Sequence, residues 1–336
     1  MRRPRRWRGF PHVLRMQQFQ PEHLDYIFHL ADEIRADRSR FSGVLNGVNV
    51  AVLFNQDSSR TRITSHRAAA MLGAAVHVEP NMEKFSSVAK GESLGNTIDL
   101  FRVLEFDYFF IRWKTEGSVA KIARELGRRF PIINCGDGPG QHPTQGLLDL
   151  KTIKDEFGTL NRKLRVGFCG DLSGSRTAHS LVYGLSKYPQ IEFVFISPPM
   201  ARMKPGIIRH LRKHRRKFSE HTSGLTPEVV RTLDVLYMIR PQTEYQDKQE
   251  DRDKLVAQYR RFILTPALAK TMKKRSIIMH PLPSTFEYPR ETQLNPRARH
   301  QQQMHNGIFV RAALLVWIRE GLGSPRPHDH DAHSNQ

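Results

Sequence analysis

The sequence predicts an α/β protein built as two doubly wound parallel-sheet domains joined by helices. Three observations predict it. Short apolar runs alternate with amphipathic stretches along most of the chain, an order that lays helices on both faces of a parallel sheet. The alternation occurs as two series, 48–134 and 165–279, separated by a long helical stretch at 143–156. A chain of 336 residues, 39% hydrophobic and 26% charged, can also bury two sizeable cores behind a polar surface.

The elements follow in order. Residues 21–34 read as a helix, with Pro21 at its first position and Leu24, Ile27, Phe28 and Leu30 on one face. Strands are predicted at 48–54, 75–78, 108–112 and 132–134, with helices at 62–72, 97–103 and 119–130. Helix 143–156 links the domains. The second series has strands at 165–169, 192–196, 234–237 and 276–279, and helices at 178–188, 203–217 and 226–232. Helix 306–320 carries Ile308, Ala312, Leu315 and Ile318 on one face. The expected boundaries are a disordered basic arm at 1–15, a first domain at 16–150, a second at 151–300 and a disordered tail at 324–336. The two series share an architecture without repeating a sequence.

Charge and cysteine content bound the function classes. No apolar run approaches the ~18 residues of a membrane span. The basic start, Met1-Arg2-Arg3-Pro4-Arg5-Arg6-Trp7-Arg8, is followed by no apolar signal core and reads as a flexible basic arm; an organelle transit peptide is the more weakly supported alternative, because the segment is not clearly amphipathic. The two cysteines, Cys135 and Cys169, lie far apart at the ends of apolar stretches. They read as buried and reduced, and the cytoplasm is the expected compartment. The formal charge of +20 is concentrated in the arm and in the run Arg209 to Lys217. Both are solvated surfaces or contacts for an acidic or polyanionic partner. The tail histidines His328, His330 and His333 are spaced like a weak metal site, and a solvated tail is the simpler reading. No metal and no cofactor is called for.

The most informative motif is Ser58-Ser59-Arg60-Thr61-Arg62, directly after the apolar run 48–54. It delivers hydroxyls and guanidiniums to a helix start, where free backbone N–H groups and the helix dipole favour an anion. Guanidinium forks match phosphate oxygens. A capped, charged helix start on the surface is the bland alternative. Gly170-Asp171-Leu172-Ser173-Gly174 is not a dinucleotide fingerprint.

Further along stand Lys90-Gly91-Glu92-Ser93, Arg112, His142-Pro143-Thr144-Gln145, Asp171 to Ser180, Arg240-Pro241-Gln242 and His280-Pro281-Leu282-Pro283. In this order and at these separations the chain resembles the aspartate/ornithine carbamoyltransferase family, from about residue 20 to about residue 320. The resemblance implies transfer of a carbamoyl group from carbamoyl phosphate to an amino-acid acceptor, by orientation and electrostatic stabilisation. It assigns the phosphate to Ser58, Ser59, Arg60 and Thr61, with Arg112 approaching from the other side. It has Arg60, Thr61 and His142 donate to the carbamoyl oxygen, and Gln145 orient the carbamoyl amide. Ser86 and Lys90 belong to a polar loop that in the family enters the neighbouring subunit's site in a homotrimer. Arg176, Arg240 and Gln242 grip the acceptor's carboxylates, and Lys90 adds charge beside them. Leu282 and Pro283 supply carbonyls near the carbamoyl amide and the incoming amine. A helix like 306–320 packs back on the first domain in the family. Histidine in the motif at 280–283, where the ornithine branch usually carries cysteine, favours aspartate and hence pyrimidine synthesis.

Several positions depart from the aspartate-type pattern. Gln56 stands where a glutamate is expected, Tyr245 and Ser284 where arginines are expected, and Trp113-Lys114 where a His-Pro pair is expected. Asn55 and Ala89 are milder changes. Losing the glutamate and the arginine of position 245 together leaves neither charge unpaired. Three readings remain open here: transfer to L-aspartate, transfer to another amine, and a catalytically weak binding or scaffold subunit.

Overall fold

The computed structural model describes residues 12–241, 253 and 256–322. Gln242, Tyr245, the first eleven residues of the predicted arm and the predicted tail lie outside the described residues.

The chain divides into two compact units. One holds the chain up to Leu14, Pro21–Cys135 and the chain from Gly307; the other holds Arg15–Gln20 and Gly136–Asn306. Helix Pro143–Phe157 is therefore part of the second unit, and helix His300–Leu322 divides between the two at Gly307.

The first unit is built on strands β1 (Asn49–Phe54), β2 (Ala75–Glu79), β3 (Tyr108–Trp113) and β4 (Ile132–Asp137), in the order β2-β1-β3-β4. The pairings of β1 with β2 and β3 are parallel. Five of the six residues of β1 and of β3 are buried, as the near-continuous apolar runs of a sheet covered on both faces require. Leu53, Phe109 and Ile111 pack with Ile98, Phe101, Val119 and Ile122 from helices Leu94–Val103 and Ser118–Leu126. From the last helix, Trp317 meets the His23 ring at 5.8 Å and Glu320 accepts from the Tyr26 hydroxyl at 2.6 Å.

The second unit holds β5 (Leu164–Gly170), β6 (Ile191–Ile196), β7 (Phe218–His221), β8 (Val235–Ile239) and β9 (Ile277–Met279), in the order β7-β6-β5-β8-β9. Its paired strands are parallel throughout. Gly167 lets the β5 backbone approach its neighbours, since a β-carbon there would fall 2.5 Å from Leu233 Cδ1.

Four expectations need correction. Residues 12–15 are not a disordered arm: Val13 is fully buried and its backbone bonds to Ile132 and Asn134. The helix expected over 203–217 is Pro205–Lys213. Arg215 takes a left-handed φ of 53°, which ends helical geometry and starts the unforeseen edge strand β7. The helix expected over 119–130 stops at Leu126, where Gly127 at φ 61° breaks it. The last helix starts at His300, six residues before its expected start at 306, because its polar first turns carry no apolar periodicity.

Candidate active site

Ligands of open α/β sheets gather at the point where the strand order reverses, outside the carboxyl ends of the strands. In the first unit that point lies between β1 and β3. The chain leaving β1 carries the hydroxyl–arginine motif, and Arg112 lies at the carboxyl end of β3, paired in register with Phe54. The Asn55 N–H donates to the Arg112 carbonyl at 2.9 Å and ties the two exits together.

Helix Ser59–Ala70 begins three residues, about one turn, earlier than the expected start at 62, so Ser59, Arg60 and Thr61 form its first turn. Ser58 precedes it in extended geometry, and its hydroxyl makes no capping hydrogen bond. The first turn holds no acidic residue. Backbone N–H groups, hydroxyls and a half-buried guanidinium are thus presented together at a positive helix end. Such a group can hold a dianion.

Ser86 and Lys90 sit in the following loop. The Ser86 hydroxyl donates to the Met82 carbonyl at 2.7 Å and accepts from Val88 N–H at 3.2 Å, so it shapes the loop locally. Lys90 is exposed. The loop lines a cavity of about 850 Å³ with Asn55, Trp113 and Lys114. Lys114 pairs with Glu83 at its edge. Asn55 is 2% exposed, and its Oδ1 accepts no hydrogen bond among the described residues.

The second unit's reversal lies between β5 and β8. Arg176 follows β5 and Arg240 follows β8, both half-buried. Asp171 Oδ1 accepts from the Ser173 N–H, the Ser173 hydroxyl and the Gly174 N–H at 2.8–3.2 Å, which sets the turn out of β5. Ser175 then caps helix Arg176–Leu185 through Ala178 N–H. Arg176 Nη1 donates to the Gly138 carbonyl at 3.0 Å, and its guanidinium lies over Gly136, where a β-carbon would come within 3.0 Å. Arg240 Nη1 donates to the Pro241 carbonyl at 3.0 Å.

His142 caps helix Pro143–Phe157, with Pro143 in its first turn. Its backbone N–H donates to Ser180 Oγ at 2.8 Å, and its Nδ1 lies 3.3 Å from Thr144 Oγ1. Gln145 Nε2 donates to Asp149 Oδ1 at 3.0 Å. That carboxylate is fully buried. It also accepts from Gln303 Nε2 and the Tyr237 hydroxyl, both at 2.7 Å. Burial, and then the Asp149 charge, push the Tyr237 hydroxyl well above its ordinary pKa, so it stays a donor. A carboxylate with three donors fixes which way the Gln145 amide faces.

Leu282 and Pro283 are held by a second buried set. His280 Nε2 meets Glu287 at 2.9 Å while its Nδ1 accepts from Leu282 N–H at 2.8 Å. Burial raises the Glu287 pKa, but the His280 hydrogen bond and charge, with Thr285, outweigh it and keep the carboxyl below its usual range. Leu282 takes φ 53°, and the Leu282–Pro283 peptide is cis.

The structure therefore brings Ser58, Ser59, Arg60, Thr61 and Arg112 to the carboxyl ends of β1 and β3. In the second unit it sets Arg176 and Arg240 beyond the carboxyl ends of β5 and β8 and ties His142 and Gln145 into the helix start. Sequence reasoning missed Asp149, Tyr237, Gln303, Ser180 and Glu287. Only Asp149 left a signal, lying four residues after Gln145 on the same helix face. Among the described residues no group of three or more His, Cys, Asp or Glu is placed to hold a metal.

The sequence and the fold of the chain are both similar to those of known proteins. Residues 11–155 match the family described as aspartate/ornithine carbamoyltransferase, carbamoyl-P binding domain, and residues 162–318 match its Asp/Orn binding domain. The chain is 37% identical over 318 residues to the chloroplastic aspartate carbamoyltransferase of Oryza sativa, covering 92% of this chain and 85% of that one. It is 38% identical to the aspartate carbamoyltransferase catalytic subunit of Clostridium perfringens, covering 91% and 96%. The catalytic subunit of M. jannaschii aspartate transcarbamoylase superposes with a TM-score of 0.80 at 34% identity, covering 92% and 98%. The Trypanosoma cruzi aspartate transcarbamoylase in complex with carbamoyl phosphate and aspartate superposes with a TM-score of 0.82 at 28% identity, covering 91% and 95%. With both of its domains matched and these identities sustained over nine-tenths of its length, the chain belongs to the aspartate/ornithine carbamoyltransferase family.

Proposed function

We propose that this protein transfers the carbamoyl group of carbamoyl phosphate to the amino group of L-aspartate, giving N-carbamoyl-L-aspartate and phosphate, a step of pyrimidine biosynthesis. One observation carries the reading: each sheet's reversal point bears the cations its anionic ligand needs, Arg60 and Arg112 after β1 and β3, Arg176 and Arg240 after β5 and β8. Such pairs suit a phosphate and a dicarboxylate, not a cationic amino acid.

The roles follow from charge and orientation. Ser58, Ser59, Arg60, Thr61 and Arg112 hold the phosphate. Gln145, with its Nε2 committed to Asp149, turns Oε1 as an acceptor toward the carbamoyl amide. His142, Arg60 and Thr61 donate to the carbonyl oxygen, where negative charge grows as the amine attacks. The tetrahedral intermediate then expels phosphate, and the amine proton leaves with it or to water. Arg176, Arg240 and Gln242 hold the acceptor, and the Leu282 and Pro283 carbonyls accept hydrogen bonds from the carbamoyl amide and the incoming amine. Ser86 and Lys90 act on a neighbouring chain's site, which makes the protein a homotrimer with shared sites. The first domain, to about residue 150, serves carbamoyl phosphate with the final helix packed on it, and the second serves the acceptor. The two free thiols are buried, which fits a reducing compartment such as the cytoplasm; the plant relatives carry "chloroplastic" in their names.

The test is phosphate release from carbamoyl phosphate with a panel of amines headed by L-aspartate and including L-ornithine. Fast release with L-aspartate alone is expected. Release only with another amine would make Gln56, Tyr245 and Ser284 specificity determinants. Binding of carbamoyl phosphate without release would leave a binding subunit. Sedimentation of the pure protein as a monomer would sink the shared-site arrangement.

A further inference from the structure

The largest feature that carbamoyl transfer leaves unused is a patch of positive charge on the second unit. Helix Pro205–Lys213 buries Ile207, Ile208 and Leu211 and turns Arg209, Arg212 and Lys213 outward. The chain then continues through His214, Arg215, Arg216 and Lys217, of which all but the half-buried Arg216 are exposed. Among the described residues none of Arg209, Arg212, Lys213, Arg215 or Lys217 has a carboxylate within ion-pairing distance.

Helix stability does not explain the patch. Cations in a last turn complement the helix dipole, but the effect fades within that turn. Arg215, Arg216 and Lys217 lie beyond the helix end. Arg215 occupies a left-handed turn position (φ 53°) where glycine or asparagine would be relaxed, so a charge is kept there at a conformational cost.

The charges crowd one another. Lys187 stands beside the patch, and burial lowers its pKa to about 8. Burial first, and then the neighbouring His214, Lys187, Lys213 and Arg216, bring His210 down to about 4. Among the described residues no carboxylate relieves this repulsion; an anionic partner would.

We propose that the surface formed by Lys187, Arg209, Arg212, Lys213, Arg215 and Lys217 binds the phosphodiester backbone of nucleic acid without reading its sequence. Guanidinium forks suit phosphate oxygens. An acidic amphipathic peptide or a membrane would also want exposed apolar contacts, and the helix offers none, since its Ile207, Ile208 and Leu211 are buried and the half-buried Phe218 lies under Arg212. Phe218 lies under the Arg212 guanidinium at 5.7 Å and offers no stacking platform for bases. Backbone contacts alone carry no sequence information.

The experiment measures fluorescence anisotropy of a short labelled DNA duplex, and of RNA of the same sequence, against full-length protein over a salt series. Binding should weaken steeply with salt and be indifferent to sequence. In the triple variant Arg212→Gln/Lys213→Gln/Arg215→Gln, the slope of log affinity against log salt should shrink by about 2.7, at about 0.9 per lost phosphate contact. Carbamoyl transfer by that variant should equal that of the parent, which reports that it is folded. An unchanged slope would overturn the proposal. So would loss of binding on deleting residues 1–11 alone, or competition by polyglutamate or anionic vesicles as strong, charge for charge, as by DNA.

Discussion

Two helix starts to which the proposed function gives different tasks are built in opposite ways. The helix start at Ser58 to Thr61 offers hydroxyls, backbone N–H groups and a half-buried guanidinium close to solvent. The start of helix Pro143–Phe157 is buried throughout, and its glutamine is fixed by a carboxylate that Tyr237 and Gln303 also hold. A phosphate dianion brings its own charge and needs donors of the right sign, which a helix end supplies from any nearby direction. A carbamoyl group is small, planar and neutral. Distinguishing its oxygen from its amide demands a fixed donor and a fixed acceptor. The cost of fixing them falls on folding, through a buried carboxylate that is useful only because all three donors are present.

Removing a charged donor should have the largest effect. Arg60→Ala should lower kcat/KM for carbamoyl phosphate by roughly 10³-fold, since one preorganised donor to a developing oxyanion contributes roughly 10²–10³ and the phosphate contact is lost with it. A loss below tenfold in steady-state assays would remove Arg60 from the site.

The buried orientation set should come next. Asp149→Ala leaves the Gln145 amide, the Gln303 amide and the Tyr237 hydroxyl without their acceptor, at about 1–3 kcal/mol each. Both denaturant stability and kcat should fall. Asp149→Asn restores an acceptor and should recover most of kcat, whereas equal kcat in the two variants would show that the carboxylate serves packing alone.

The acceptor side separates the tasks further. Arg240→Ala should raise the KM for aspartate by roughly 10- to 100-fold, the worth of a charged hydrogen bond, and leave the KM for carbamoyl phosphate nearly unchanged. Equal changes in both would contradict its assignment to the acceptor.

Acid should test folding, not the site. His12 and His210 both have folded pKa values of about 4 against an ordinary 6.5, lowered chiefly by burial. The unfolded chain therefore binds more protons between these values, and stability declines as pH falls through that window. Urea midpoints should drop from pH 7 to pH 5, and His12→Asn should flatten the decline. The smallest effect should come from Lys114→Met at the exposed pair with Glu83, a loss of under about 1 kcal/mol in thermal unfolding.

The alternation of strand and helix was legible because buried parallel strands are written as apolar runs, such as Val50 to Phe54. Edge strand β7 was not, since Phe218-Ser219-Glu220-His221 is mostly polar and follows a cationic run that continues the helical pattern. The residues proposed to face the ligands were legible through their motifs. Their supports were not: Tyr237 and Gln303 lie 88 and 154 residues from Asp149, and only folding makes them neighbours. Glu287, seven residues from His280 within a loop, had no periodicity to mark it.

Gly170 ends β5 at φ +128°, where a β-carbon would fall 1.9 Å from the Ile239 carbonyl oxygen. The floor beneath the proposed acceptor site is therefore bare main chain, and no substitution can furnish it. On the proposed assignment, anyone wishing to retune this protein for a bulkier or differently charged amine must work on the walls, at positions such as Arg176 and Arg240. The same holds for natural selection: new acceptor preferences in this fold can arise by re-dressing the rim, while the floor stays closed to variation.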